Sequence, residues 1–279
     1  MIIIDGKLVA NELLENLKNK LVACEKKPTL AVIIVGENPA SKIYVNLKKK
    51  KAIDLGMNSM VIELPETINQ EVLLEKIDEL NNDDDVNAIL VQLPLPEHID
   101  TQTILKKINP KKDVDCFHPY NVGEISVGNK PCVYPCTPKG ILKLLDYYNI
   151  EIAGKSVVVV GRSNIVGKPV AQMLLNRNAT VTICHSKTKN LTEITRKADI
   201  LVVAIGSAKF IKSDMVKQDV VVIDVGMNKD ENGKLCGDVD FENVKEIASY
   251  ITPVPGGVGP MTICSLMENT FDLYNVNKF

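Results

Sequence analysis

Apolar positions along this 279-residue chain change their spacing at regular intervals, and each change marks an element. Met1-Ile2-Ile3-Ile4 is strand-like. From about 7 to 26, Val9, Leu13, Leu14, Leu17 and Leu21 recur at helical spacing, which predicts an amphipathic helix. Residues 30–35 form a continuous apolar run that stops at Gly36, as a buried strand should, and Pro39 suits the first turn of a second helix ending near Leu55-Gly56. Strand-like 60–64, helical 70–80 and strand-like 87–93 continue the alternation, the pattern of a parallel α/β layer. Residues 93–133, rich in Pro, Gly, Asn and Asp, read as irregular connections able to wall a site.

A second series follows. Thr137 as N-cap and Pro138 in the first turn open a helix to about Tyr148. Apolar runs at 156–160, 180–184, 200–204 and 220–224 then predict four buried parallel strands of a doubly wound domain. After Thr252 the chain enters Pro253-Val254-Pro255-Gly256-Gly257-Val258-Gly259-Pro260 and a final helix from about Met261, expected to return to the first domain. The expected division is therefore 1–136 plus 258–279 for the first domain and 137–257 for the second.

Composition narrows the function classes. Hydrophobic residues make up 45% of the chain and charged ones 24%, enough to bury a sizeable core. The 33 basic and 35 acidic residues leave a net charge of −2, with no basic field to hold nucleic acid or an anionic membrane. No apolar run approaches membrane-spanning length, and a reducing cytoplasm fits the chain. The seven cysteines are odd in number and include no CxxC pair, which argues against a disulfide framework or zinc ribbon; Cys132 and Cys136 read as small apolar thiols, and no metal is expected. His98, His118 and His185 are far apart in sequence, so a cluster of imidazoles would have to be assembled by the fold.

Six segments carry candidate chemistry. Val160-Gly161-Arg162-Ser163-Asn164-Ile165-Val166-Gly167 is a strand that stops in a glycine-bearing turn and restarts as a helix, where backbone amides can receive a pyrophosphate. It is not the GxGxxG fingerprint, and alone it fits a plain β-α turn equally well. The next strand ends at Cys184-His185-Ser186-Lys187-Thr188, without the acid that commonly meets the ribose hydroxyls of NAD. Arg162, His185, Ser186 and Lys187 could instead meet a 2′-phosphate, so NADP is preferred. Tyr44 and Lys48 share one helix side, but Lys51 points nearly the same way, and consecutive lysines are usually a solvated face. Gln92 closes an apolar strand, Asp115 reads as a turn acid, and Gly256-Gly257 between prolines would admit a ligand against bare backbone or form a tight turn.

Together these segments resemble bifunctional methylenetetrahydrofolate dehydrogenase/methenyltetrahydrofolate cyclohydrolases along essentially the whole chain. The resemblance rests on 35–41 with Tyr44-x-x-x-Lys48, Val91-Gln92-Leu93-Pro94-Leu95-Pro96, Lys112-Asp113-Val114-Asp115, Pro135-Cys136-Thr137-Pro138, 161–169, Asp224-Val225-Gly226-Met227-Asn228, Gly237-Asp238-Val239 and 252–262. It implies two α/β domains around a cleft, an N-terminal folate-binding catalytic domain and a Rossmann-like NADP-binding domain with a parallel sheet, in an enzyme that is generally a homodimer. It also implies Lys48 as the catalytic lysine, Tyr44 stacking on folate, Gln92 assisting the lysine, Asp115 binding the pterin, and Gly256 and Gly257 at the substrate. Gly161, Arg162, Ser163, Ser186 and Met227 match positions around the dinucleotide. One departure is Cys116, where the family usually has Gly; its side chain is expected either to shift Asp115 or to point outward.

The implied chemistry suits these residues. Hydride loss from 5,10-methylenetetrahydrofolate leaves a cation stabilised by the substrate's own nitrogens, so positioning matters more than a strong base. Hydrolysis of the methenyl compound to 10-formyltetrahydrofolate does need proton management, by a neutral lysine acting as base or a protonated one orienting water. A dehydrogenase of small hydroxy acids and a nucleotide-sensing module without turnover are the competing readings.

Overall fold

The computed structural model describes residues 1–131 and 133–276; Cys132, one of the two thiols expected to be small apolar side chains, lies outside them. In chain order the elements are β1 (Ile2–Ile3), α1 (Gly6–Val22), β2 (Thr29–Val35), α2 (Pro39–Asp54), β3 (Asn58–Leu64), α3 (Gln70–Asn82), β4 (Ala88–Val91), α4 (Thr101–Lys107), α5 (Pro119–Ser126) and α6 (Cys136–Tyr147). They continue with β5 (Ser156–Val160), α7 (Gly167–Leu175), β6 (Thr180–Cys184), α8 (Leu191–Thr195), β7 (Ile200–Val203), β8 (Val221–Asp224), β9 (Asn228–Lys229), β10 (Leu235–Cys236), α9 (Phe241–Val244), β11 (Tyr250–Ile251) and α10 (Val258–Val276).

The chain divides into two compact units, Leu13–Cys136 with Ser265 onward, and Met1–Glu12 with Thr137–Cys264. In the first, β2 lies between β3 and β4 with all pairings parallel. Every residue of β2 and β4 is buried, because helices and connections cover both faces of a parallel sheet and the strands then read as unbroken apolar runs. Ala31, Ile33, Val35, Ile89 and Val91 pack on one face against Leu73, Ile77 and Leu80 of α3 and Ile104 and Leu105 of α4.

The second unit holds a six-stranded sheet in the order β1-β11-β8-β7-β5-β6, all parallel. Its order reverses between β5 and β7, since β6 lies on one side of β5 and β7 on the other. Val158, Val160, Leu201, Val203, Val222 and Ile251 form the core on one face.

The expected α/β elements are present, with differences. The sheet gains β11 and β1 beyond the four expected strands, and this pairing draws Met1–Glu12 into the second unit, away from the expected 1–136 grouping. The other boundary falls inside α10, at Cys264 rather than before Val258. The first helix ends at Val22, short of 26. Residues 93–133 are not wholly irregular: α4 starts on Asp100, whose carboxylate accepts from Thr103 N at 2.7 Å, and α5 on His118, whose ring accepts from Tyr120 N at 3.1 Å. Thr137 lies within α6, which begins at Cys136, and its hydroxyl meets that of Thr262 at 2.9 Å.

Candidate functional site

In the first unit, three elements deliver side chains to the C-terminal edge of the small parallel sheet. β2 ends at Gly36, whose φ of +81° turns the chain, and Asn38 then caps α2 by accepting from Ser41 N at 3.1 Å, with Pro39 in the first turn. Ser41, Val45 and Ala52 bury one face of α2, which leaves Tyr44, Lys48 and Lys51 half-buried on its flank. Lys48 is the one whose Nζ donates to Gln92 Oε1, at 2.9 Å. Gln92 directly follows β4 and extends its ladder, donating N–H to Ile33 O at 2.8 Å. Its Nε2 donates to Leu93 O at 2.7 Å, so the carbonyl end of the amide is the end presented to the lysine.

Asp115 arrives on a segment that adds itself beside β4. Ile89 and Asp113 form a parallel bridge, with Ile89 N donating to Lys112 O at 2.7 Å. Lys112 anchors this segment by donating to Leu80 O and Asp83 O at 3.0 and 2.7 Å, and burial lowers the pKa of its ammonium. The buried Asp113 carboxylate accepts from His118 N and Asn121 Nδ2 at 2.8 and 2.9 Å. Parallel register from Asp113 brings Asp115 to the level of the end of β4, where Gln92 stands. Burial raises the Asp115 pKa, while the positive charge of Lys48 and a hydrogen bond from the Cys136 thiol act in the opposite direction. Cys116 neither points outward nor lies exposed: it is fully buried, with a φ of 60°. That left-handed backbone is the physical reason a glycine would suit the position.

Sequence reasoning missed two supports of this arrangement. Cys136 contacts Asp115, and Asn269 of α10 donates through Nδ2 to Val114 O and Tyr134 O, each at 2.8 Å, holding the residue before Asp115. Only the run Pro135-Cys136-Thr137 gave any signal for the first, and a buried Asn on an apolar helix gave none.

The second unit carries the other predicted residues. β5 ends in Gly161, with φ +130°, where a Cβ would lie 2.2 Å from Ala204 O at the end of β7. A Cβ on Gly167 would lie 2.3 Å from Gly161 O, so both glycines are required for the strand end, its neighbour and the start of α7 to close together. This turn stands where the strand order reverses, the place at which open α/β sheets receive ligands. Ser163 Oγ accepts from Val166 N and Gly167 N at 3.2 and 3.3 Å and so fastens the helix start, while Arg162 beside it is exposed. After β6, Ser186 and Lys187 are exposed in a turn closed by His185 N donating to Thr188 Oγ1 at 2.8 Å. Met227, half exposed, follows β8. Bare backbone at Gly161, with basic and hydroxyl groups and no carboxylate at 185–188, fits a dinucleotide bearing a 2′-phosphate.

Gly256 and Gly257 also belong to this unit, Gly256 in the left-handed φ region and Gly257 where a Cβ would lie 2.6 Å from Pro253 O. Gly256 has a φ of +108°, and its carbonyl accepts from Lys7 N at 3.0 Å; a Cβ on Gly6 would lie 1.8 Å from Gly257 O. Among the described residues no group of three or more His, Cys, Asp or Glu is arranged to hold a metal ion.

Comparison with known proteins gives consistent results. The model of the tetrahydrofolate dehydrogenase/cyclohydrolase catalytic domain matches residues 4–115, and that of the family's NAD(P)-binding domain matches 135–278. The bifunctional protein FolD of Bacillus cytotoxicus is 56% identical over 274 residues, 97% of this chain and 96% of that protein. The crystal structure of the bifunctional enzyme FolD, methylenetetrahydrofolate dehydrogenase/cyclohydrolase, from Campylobacter jejuni superposes with a TM-score of 0.97 at 51% identity, over 99% of each chain. The Trypanosoma brucei N5,N10-methylenetetrahydrofolate dehydrogenase-cyclohydrolase, solved with NADP cofactor and an inhibitor, gives 0.95 at 40% identity over 99% of this chain and 98% of that one.

Proposed function

The chain belongs to the tetrahydrofolate dehydrogenase/cyclohydrolase family, and on that premise we propose that it oxidises 5,10-methylenetetrahydrofolate with NADP+ and hydrolyses the resulting methenyl compound to 10-formyltetrahydrofolate. The observation that carries this reading at residue level is the convergence of Lys48, Gln92 and Asp115 at one sheet edge, with Lys48 Nζ 2.9 Å from Gln92 Oε1.

When bound, NADP+ supplies the hydride acceptor. Gly161 would give its phosphates bare backbone, Arg162, Ser163 and Ser186 would hold its phosphates and ribose, and Met227 would line the same site. Asp115 accepts from the pterin's N–H donors, and Tyr44 on α2 gives the folate an aromatic surface. These contacts fix the methylene carbon for hydride loss, for which the substrate's own nitrogens stabilise the cation and no protein base is needed. In the second reaction water adds to the methenyl carbon with loss of one proton, and the C–N5 bond then breaks as the adduct's hydroxyl becomes the formyl carbonyl and N5 takes up a proton. Lys48 Nζ manages the proton of that adduct, held in place by the Gln92 carbonyl, a neutral acceptor that serves an amine in either protonation state.

Residues 13–136 with the end of α10 form the folate unit, and 1–12 with 137–264 the dinucleotide unit. The enzyme is a cytoplasmic homodimer that acts on small molecules, not on nucleic acid or membranes. The free thiols at Cys24, Cys184 and Cys236 support the compartment, and the unpaired outer edge of β6 supports the dimer. Among the described residues no helix is long and apolar enough to cross a membrane.

The test is direct. The purified chain, given methylenetetrahydrofolate and NADP+, is expected to form NADPH and pass through the methenyl absorbance. Lys48→Ala is expected to abolish hydrolysis of the methenyl compound while NADP+ still binds. Wild-type protein with neither activity would refute the function, and undiminished hydrolysis in Lys48→Ala would remove the lysine from the mechanism.

A further inference from the structure

Two buried aspartates in the dinucleotide unit have no part in the chemistry above. Asp224, the last residue of β8, is 2% exposed, and Asp238 is fully buried. Asp238 Oδ2 accepts from Ile205 N and Gly206 N at 2.7 and 3.1 Å; Oδ1 accepts from Ser207 N at 2.7 Å and Asn228 Nδ2 at 2.9 Å. Three consecutive amides of the loop after β7 thus converge on one carboxylate, which also reaches across to the loop after β8. Asp224 grips from behind: Oδ1 accepts from Gly226 N and Asp238 N at 3.0 and 2.9 Å, and Oδ2 from Val239 N at 2.9 Å. The fit leaves no spare space. A Cβ on Gly226 would lie 2.3 Å from Asp238 Cγ, and one on Gly237 would lie 1.8 Å from Asp224 Oδ2.

The clamp holds particular loops. The loop after β7 begins at Ala204, whose carbonyl packs on Gly161, and the loop after β8 carries Met227 between two clamped residues, Gly226 and Asn228. In the sheet, β8, β7 and β5 are consecutive neighbours, so the clamped loops lie on the side of the Gly161 turn away from β6 and Ser186. A dinucleotide whose 2′-phosphate lies by Ser186 and whose pyrophosphate crosses at Gly161 places its other half over β7 and β8.

We propose that Asp238, braced by Asp224, is a positioning residue for the nicotinamide half of the dinucleotide, holding the loops after β7 and β8 as one rigid floor. The inference rests on the NADP-dependent reading above. It assigns the aspartate no contact with the reacting atoms: its carboxylate is saturated by the amides it holds, and it acts through Gly206, Ser207 and Met227.

The experiment separates the two halves of the cofactor. Asp238→Asn replaces an acceptor by a donor facing backbone donors, and Asn228→Ala removes a single bond and serves if the first variant does not fold. Each is assayed for hydride transfer with varied NADP+, for hydrolysis of methenyltetrahydrofolate without dinucleotide, and for binding of adenosine 2′,5′-bisphosphate, which lacks the nicotinamide half. The expected result is a fall of roughly tenfold or more in dehydrogenase kcat/KM for NADP+, with hydrolysis and bisphosphate binding within about twofold of wild type. Unchanged kcat/KM for NADP+ in a folded variant overturns the proposal. So does a parallel loss of bisphosphate binding in Asn228→Ala, which makes the network general scaffolding. A wild-type chain that binds bisphosphate but does not turn over would instead count against the functional reading.

Discussion

Gly161→Ala puts the dinucleotide turn under a load that the structure lets us estimate. The new Cβ would lie 2.2 Å from Ala204 O, more than 1 Å short of ordinary van der Waals contact, and would also force a side chain onto a φ of +130°. That backbone strain costs about 1–3 kcal/mol. Relief requires β5 and β7 to part, and there Ala204 N donates to Val160 O at 2.8 Å; losing that bond costs about 1 kcal/mol more. The variant therefore gives up roughly 2–4 kcal/mol, or the turn moves by about 1 Å, a displacement that can cost on the order of a hundredfold in rate. Dehydrogenase kcat/KM for NADP+ is expected to fall by about that factor. Hydrolysis of methenyltetrahydrofolate, which the proposed mechanism assigns to Lys48, Gln92 and Asp115 of the other unit, is expected to stay within about twofold. Both rates come from one preparation, with thermal unfolding as the control for folding. A variant with wild-type kcat/KM for NADP+ would sink the claim that this turn receives the dinucleotide.

Three further outcomes follow from the geometry. Burial raises the Asp224 pKa from 3.8 to about 7, so the native state holds a proton that the unfolded chain releases. The stability this gives is complete below about pH 4 and is lost as pH rises through about 7; by urea unfolding, wild type minus Asp224→Asn should fall by about 4 kcal/mol between pH 4 and 8, and a flat difference counts against it. At Cys116, where φ is 60° and the side chain is buried, Cys116→Gly relieves about 1–2 kcal/mol of strain but loses about as much burial, so stability should change by less than about 1 kcal/mol. Loss of more than about 2 kcal/mol in urea unfolding refutes that balance. Asn269→Ala strips one donor from Val114 O and Tyr134 O, and should cost about 2–3 kcal/mol and raise KM for the folate as the Asp115 segment loosens; unchanged KM with lowered Tm would confine Asn269 to a structural role.

What could be read from the sequence follows from where the controlling interactions lie. β2, β5 and β7 are buried on both faces, so their composition alone declares them, and α2 carries its own cap and proline. The strand-like run that becomes β1 is legible locally, but its partner β11 lies near the opposite end of the chain; no local window contains that pairing, and the domain division shifted with it. α4 and α5 are too short for periodicity to register, and only their caps, Asp100 and His118, mark them. On α2, spacing left Lys48 and Lys51 equivalent. The resemblance selects Lys48, and the physical distinction comes from Gln92, placed by the β2–β4 ladder, to which Lys48 Nζ donates a hydrogen bond.

The aspartate clamp was hidden for a different reason. An acid at the end of an apolar run, as in Val222-Ile223-Asp224, ordinarily marks a strand reaching solvent, and an acid after glycine, as in Gly237-Asp238, ordinarily marks a turn. Both carboxylates are instead buried, with backbone amides from distant segments taking the place of water. The glycines beside them invite the same misreading. Gly226 and Gly237 lie outside the left-handed φ region that usually accounts for a turn glycine; each is small because the carboxylate belonging to the other segment occupies the space a Cβ would need. Acid and glycine are thus complementary parts across two strand ends, Asp224 with Gly237 and Asp238 with Gly226. A glycine that fits no turn, near an acid that fits no surface, is the sequence trace such a clamp leaves.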